Sequence, residues 1–323
     1  MNIKLKRSIA LLLTCLVLCS LIGCNNSSKQ KKENAETGST SVEPENMSES
    51  EDDTKTAVDV KTVSGGNVEM DYMVFGKGEN KFVIIPGLSV HSVMGLADSV
   101  AEAYKDFSDN YTVYLFDRPK ELKDDITIRD LAEDTAAAMK ALNIENAYVF
   151  GASQGGMIAQ YLAIDHPELV CKMILGSTLS KMNDTFEKVG NKWIQLAENR
   201  DEKGLIEAFV DDVYSKNTLE LYRDTLISSN LGITEDEYER FIKLAKSCLT
   251  FDCYNELSAI QCPVLVIGCE GDNVVTAEAS KEIANALNCE IYLYDDSYGH
   301  GVYDEAADYK QRCMDFFEEA NSL

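Results

Sequence analysis

From Val58 onward, short apolar runs alternate with amphipathic stretches. Residues 68–75 alternate in polarity, which predicts a strand, and Gly76-Lys77-Gly78 ends it. Further strands are expected at 81–85, 111–116, 146–150, 171–175, 263–267 and 290–294. Several are continuous apolar runs, the pattern of strands covered on both faces. Helical spacing recurs at 128–142, 156–164, 277–287 and in a closing helix over 303–319. Strands alternating with helices predict an α/β domain with a mostly parallel sheet and helices on both faces. No internal repeat is visible.

One interval breaks the rhythm. Residues 177–260 contain no convincing strand, only acidic amphipathic segments such as 186–198 and 233–246. An insertion of this size between two core strands has to pack on one end of the sheet, as a helical lid.

The start of the chain has another character. Lys4, Lys6 and Arg7 precede an apolar run at 8–22, and Leu21-Ile22-Gly23-Cys24 closes it. This is the anatomy of a secretory signal, and the run is shorter than the roughly 20 residues of a spanning helix. An uncleaved membrane helix or a plain secretory signal with a chance cysteine are the alternatives. The four closing residues resemble the bacterial lipobox, which implies cleavage after residue 23, a lipid on Cys24 and an extracytoplasmic protein anchored to the cell membrane. Residues 24–56 are rich in Ser, Asn, Glu, Lys and Thr, with almost nothing apolar after the cysteine. Such a segment cannot offset its ordering entropy by burial, so a disordered tether is expected before a folded domain over 57–323.

Net charge is −25 and no basic stripe exists, which argues against a nucleic-acid partner. Ten cysteines are present, seven of them in the body of the chain. An odd seven cannot all pair within one chain, and no spacing suggests zinc. No motif calls for a cofactor.

The chemistry concentrates in Gly151-Ala152-Ser153-Gln154-Gly155-Gly156, directly after one expected strand and before an expected helix. A turn that tight strains the serine backbone. Side chains two residues either way would collide, hence Gly151 and Gly155. In this context the motif resembles the nucleophile elbow of the α/β-hydrolase superfamily. The resemblance covers 58–323 and implies the α/β-hydrolase fold, with Ser153 as nucleophile.

A serine hydroxyl needs an adjacent base. Three histidines are available. His91 follows the Pro86 loop, and His166 stands in a Pro-Glu turn that relatives use for packing. His300, in Ser297-Tyr298-Gly299-His300-Gly301, follows the last strand where the superfamily places its base, and its glycine neighbours suggest a flexible loop. Asp272, in Gly268-Cys269-Glu270-Gly271-Asp272 before Val274-Val275, resembles the supporting acid, with Glu270 as rival. The order Ser153, Asp272, His300 matches the superfamily. The resemblance also implies an oxyanion hole from the backbone N–H groups of Gln154 and of Leu88, in Pro86-Gly87-Leu88-Ser89. Many relatives have His-Gly where this chain has Pro-Gly. Asp117-Arg118-Pro119 resembles the family's Asp-x-x-Gly corner without its glycine, and Asp117 is expected to be structural.

These residues imply a serine hydrolase forming an acyl-enzyme, with a small-molecule ester or amide as substrate and a carboxylic ester as the default. A prolyl-type aminopeptidase, holding a substrate amine with Glu207 or Asp211 of the insertion, is the alternative within the fold. A silent binding lipoprotein is the alternative outside catalysis.

Overall fold

The computed structural model describes residues 58–319. The expected signal, tether and Cys24 lie outside the described residues. In chain order the elements are β1 (Val60–Gly65), β2 (Val68–Phe75), β3 (Asn80–Ile85), α1 (Ala97–Ala103), β4 (Tyr111–Pro119), α2 (Ile128–Ala141), β5 (Ala147–Ala152), α3 (Gln154–Asp165) and β6 (Val170–Gly176). Four helices of the insertion follow: α4 (Asp184–Glu198), α5 (Glu202–Val213), α6 (Lys216–Ser229) and α7 (Glu235–Leu249). The chain closes with β7 (Val264–Cys269), α8 (Ala277–Leu287), β8 (Glu290–Tyr294), α9 (Val302–Glu305) and α10 (Tyr309–Glu318).

All eight strands join one sheet in the order β1-β2-β4-β3-β5-β6-β7-β8. The pairs β1/β2 and β2/β4 are antiparallel, and the remaining neighbours are parallel. Because side chains alternate across a strand, each inner strand feeds two cores. Val83, Val149 and Leu175 face the layer of α2, α3 and α8. Phe82, Phe150 and Ile174 face the layer of α1 and α10. The apolar runs of β5 and β7, and of β6 apart from the buried Lys172, are the signature of this double coverage.

The insertion is helical, as expected, and its only strand-like feature among the described residues is a bridge between Lys181 and Asp252. Its helices start on side-chain caps from Asn183, Asp201, Ser215 and Thr234. The chain differs from the sequence reading in three elements. β1 was not anticipated, because four of its six residues are exposed and it lacks an apolar period. α1 was not anticipated either. The closing helix is two helices, not one: Ala306 is extended (φ −85°, ψ 120°), and Glu305 is held back by accepting from the N–H groups of Ser215 and Gly299.

Candidate active site

Ser153 sits between β5 and α3 with φ 52° and ψ −117°, a conformation rare for any residue bearing a Cβ. The strain persists because its surroundings allow little else. Its N–H bonds Gly176 O at 2.8 Å, and its carbonyl accepts from Thr178 Oγ1 at 2.8 Å. A Cβ on Gly151 would stand 2.5 Å from Gly155 O, and one on Gly155 would stand 1.9 Å from Ile85 O. Both glycines are thus required by close approach of backbone, within the turn for Gly151, as the sequence suggests, but from β3 for Gly155.

His300 comes from the loop between β8 and α9. Its Nε2 lies 3.0 Å from Ser153 Oγ and its Nδ1 lies 2.9 Å from Asp272 Oδ2. All three side chains are buried. The glycines flanking His300 serve packing, contrary to the expectation of a flexible loop. A Cβ on Gly299 would meet Ser215 N at 2.6 Å, and Gly301 N–H bonds Val213 O at 2.8 Å. The insertion therefore grips the histidine loop.

Asp272 Oδ1 accepts from Val274 N at 2.8 Å and Val275 N at 2.9 Å, which leaves Oδ2 for the imidazole. Burial works to raise its pKa, but His300 and the two backbone donors outweigh it and hold the carboxyl below the ordinary aspartate value. The rival Glu270 is exposed and pairs with Lys281 at 3.1 Å.

Gln154 opens α3, so its N–H is among those with no acceptor within the helix. The loop carrying Leu88 lies against the same serine: a Cβ on Gly87 would come within 3.3 Å of Ser153 Cβ. The two segments expected to supply the oxyanion donors are therefore adjacent to Ser153.

Sequence reasoning missed Arg118. This buried residue donates from Nη2 to Pro86 O and from Nε to Gln154 Oε1, and burial lowers its pKa to about 10. Gln154 Nε2 donates in turn to Leu244 O at 2.9 Å in α7. Asp117 accepts from Ser92 Oγ and, at 2.6 Å, from Arg240 of α7. A buried charged pair near the end of a largely apolar strand was the available signal. His91 also links the Pro86 loop to the insertion, through Glu237 at 2.7 Å and Asn230 O at 2.9 Å. His166 lies apart, bonded to Glu133 at 3.0 Å.

Among the described residues no cluster of three or more His, Cys, Asp or Glu is arranged to hold a metal ion. All seven body cysteines are free thiols. Burial pushes Cys248 up to about 11 and Cys269 up to about 12, so these are inert at neutral pH. A polar hollow of about 640 Å³ by Asn80, Tyr111 and Lys172 lies at the far ends of the strands, away from Ser153. A mainly apolar cavity of about 210 Å³ adjoins the site at Gly87 and Ala152.

Comparison with known proteins agrees with this architecture. The family model for the alpha/beta hydrolase fold matches residues 81–307. A 2-hydroxy-6-oxononadienedioate/2-hydroxy-6-oxononatrienedioate hydrolase from Paraburkholderia phymatum is 27% identical over 274 residues, covering 80% of this chain and 94% of that protein. Among solved structures, MGS-M2, an alpha/beta hydrolase enzyme from a deep-sea metagenome library of the Medee basin, superposes with a TM-score of 0.73 at 21% identity, covering 81% of this chain and 99% of that one. The enol-lactonase from Burkholderia xenovorans superposes with a TM-score of 0.70 at 20% identity, covering 80% of this chain and 100% of that one. The likeness in structure speaks for the fold, and the match of the family model over more than half of the sequence settles membership: the chain belongs to the α/β-hydrolase family.

Proposed function

We propose that the protein is a serine hydrolase that cleaves carboxylic esters through an acyl-enzyme. The observation that carries this reading is the imidazole of His300, within hydrogen-bond distance of both Ser153 and Asp272. In this account Ser153 Oγ attacks the carbonyl carbon and passes its proton to His300 Nε2. Asp272 holds the other ring nitrogen protonated and offsets the imidazolium charge. The N–H groups of Leu88 and Gln154 receive the oxyanion, aided by the N-terminus of α3. Collapse expels the alcohol, which takes the proton from His300. Water then attacks the acyl-enzyme by the same route and releases the acid. An ester is the default because its leaving group needs the least assistance.

The insertion serves as the lid of this site, since it contacts both Gln154 and the loop of His300. The aminopeptidase reading draws little support from the acids first considered for it. Asp211 is paired with Arg223 at 2.7 Å, and Glu207 faces Lys203 at 3.8 Å.

Hydrolysis of a p-nitrophenyl ester series by the wild type, set against a prolyl-naphthylamide, tests the reaction class. Ester turnover without amide turnover is expected, and cleavage of the naphthylamide alone would replace this reading with the peptidase. We further infer that the chain is a lipoprotein tethered through Cys24. Radiolabelled palmitate should enter the wild type but not Cys24→Ala, and equal incorporation in both would remove the anchor.

A further inference from the structure

The cavity beside the oxyanion loop lies on the face of the sheet shared with α1 and α10. Ile84 and Ala152, near the ends of β3 and β5, and Leu115, in the middle of β4, contribute apolar wall. Gly87 is common to the cavity and the nucleophile: a Cβ there would lie 3.3 Å from Ser153 Cβ and 3.8 Å from the Tyr303 hydroxyl. A ligand filling the space therefore ends beside Ser153.

The remaining wall is chemically unusual. Three tyrosines, Tyr104, Tyr214 and Tyr303, line it together with Asp304. Asp304 is solvent-accessible, and no described residue hydrogen-bonds its carboxylate. Desolvation and the neighbouring Glu305 raise its pKa from the ordinary aspartate value, and Lys310 opposes that rise. The neighbouring charges are already engaged. Glu305 accepts from Ser215 N at 2.8 Å and Gly299 N at 2.7 Å. Lys310 Nζ donates to Tyr303 O and lies 5.6 Å from the centre of the Tyr104 ring. Two carboxylates against one ammonium leave the wall net negative.

We propose that this cavity is a subsite for an ammonium group on a short apolar stem, held by the Asp304 carboxylate and the faces of the three tyrosines, with the rest of the ligand reaching Ser153. Aromatic rings and a carboxylate around an apolar space are the elements of a cation cage. A neutral chain of the same shape would strip water from Asp304 and give it no partner, which is costly. An anionic group would meet like charge. The volume, about 210 Å³, falls below the roughly 300–1,000 Å³ of sites for drug-sized ligands, so the stem must be short. As a substrate subsite it rests on the serine-hydrolase reading, and it names the class of ester: one bearing a cationic amine.

The test uses the full-length protein and two isosteric probes, choline and 3,3-dimethylbutan-1-ol, titrated by calorimetry. Choline should bind at least about tenfold more tightly than the neutral alcohol. Asp304→Asn should remove most of that preference, and Tyr214→Leu should reduce it, with circular dichroism confirming that both variants fold. Equal or tighter binding of the alcohol to the wild type would overturn the proposal, as would an unchanged preference in Asp304→Asn. Fluorophosphonate labelling of the wild type separates the two readings. Labelling without a choline preference removes the subsite alone, whereas a choline preference without labelling keeps the cation site and removes the hydrolase.

Discussion

Arg118 and Gln154 are joined in the interior: the guanidinium Nε donates to Gln154 Oε1 at 3.2 Å. The same guanidinium holds Pro86 O, so one buried cation ties together the two segments that carry Leu88 and Gln154. The link continues through the amide of Gln154 to Leu244 and to Cys248 Sγ at 3.1 Å, both in the insertion. The loop of Leu88, the start of α3 and the insertion are therefore joined by one chain of buried hydrogen bonds.

Arg118→Met should lower stability by about 2–5 kcal/mol, because it leaves the buried carbonyl oxygens of Pro86 and Gln154 without their donor, at about 1–3 kcal/mol each. In the folded fraction, kcat on a p-nitrophenyl ester should fall roughly 10- to 100-fold with a smaller change in KM, because a loosened donor pair acts on the transition state. Urea denaturation and steady-state kinetics check the two effects. A folded variant with unchanged kcat would show that Arg118 has no influence on the donors.

Asp272→Asn should cost roughly 10³–10⁴ in kcat, since the amide favours the wrong imidazole tautomer. It also has a pH signature. The folded-state pKa of Asp272 is depressed, so its carboxylate stabilises the fold above the ordinary aspartate value of about 3.9 and loses that contribution as pH falls through the lower folded value. The stability difference between wild type and Asp272→Asn should shrink as pH falls below about 4. Denaturation midpoints across that range measure it.

Gly155→Ala should be severely destabilising, because the added Cβ meets Ile85 O at 1.9 Å and neither backbone can retreat. Gly95→Ala is the control, with open space around its Cβ position. A thermal melt should show a large loss for the first and almost none for the second.

What was legible in the sequence followed from strong local constraint. Doubly covered strands such as β5 and β7 must be apolar throughout, so they stand out, and Gly151 is demanded by a contact within the turn itself, whereas the contact that demands Gly155 comes from Ile85 of β3. The segment β1 was hidden because an exposed edge hairpin buries too little to leave a period. Arg118 and Asp304 were hidden for another reason. Their partners are 32 to 36 residues away for Arg118, and scattered from Tyr104 to Lys310 around Asp304. A local pattern can mark Arg118 as a charge in an apolar strand but cannot name its partners. The glycines beside His300 were noticed but given the wrong purpose, since only the fold brings Val213 and Ser215 against them.

The central claim is that His300 activates Ser153 for attack. Incubation of the wild type, Ser153→Ala and His300→Ala with a fluorophosphonate, followed by peptide mass mapping, tests it most directly. The adduct should sit on Ser153 in the wild type, be absent from Ser153→Ala and form at least about 10³-fold more slowly in His300→Ala. An adduct on another residue, or full-rate labelling of Ser153 without the imidazole, would contradict the account.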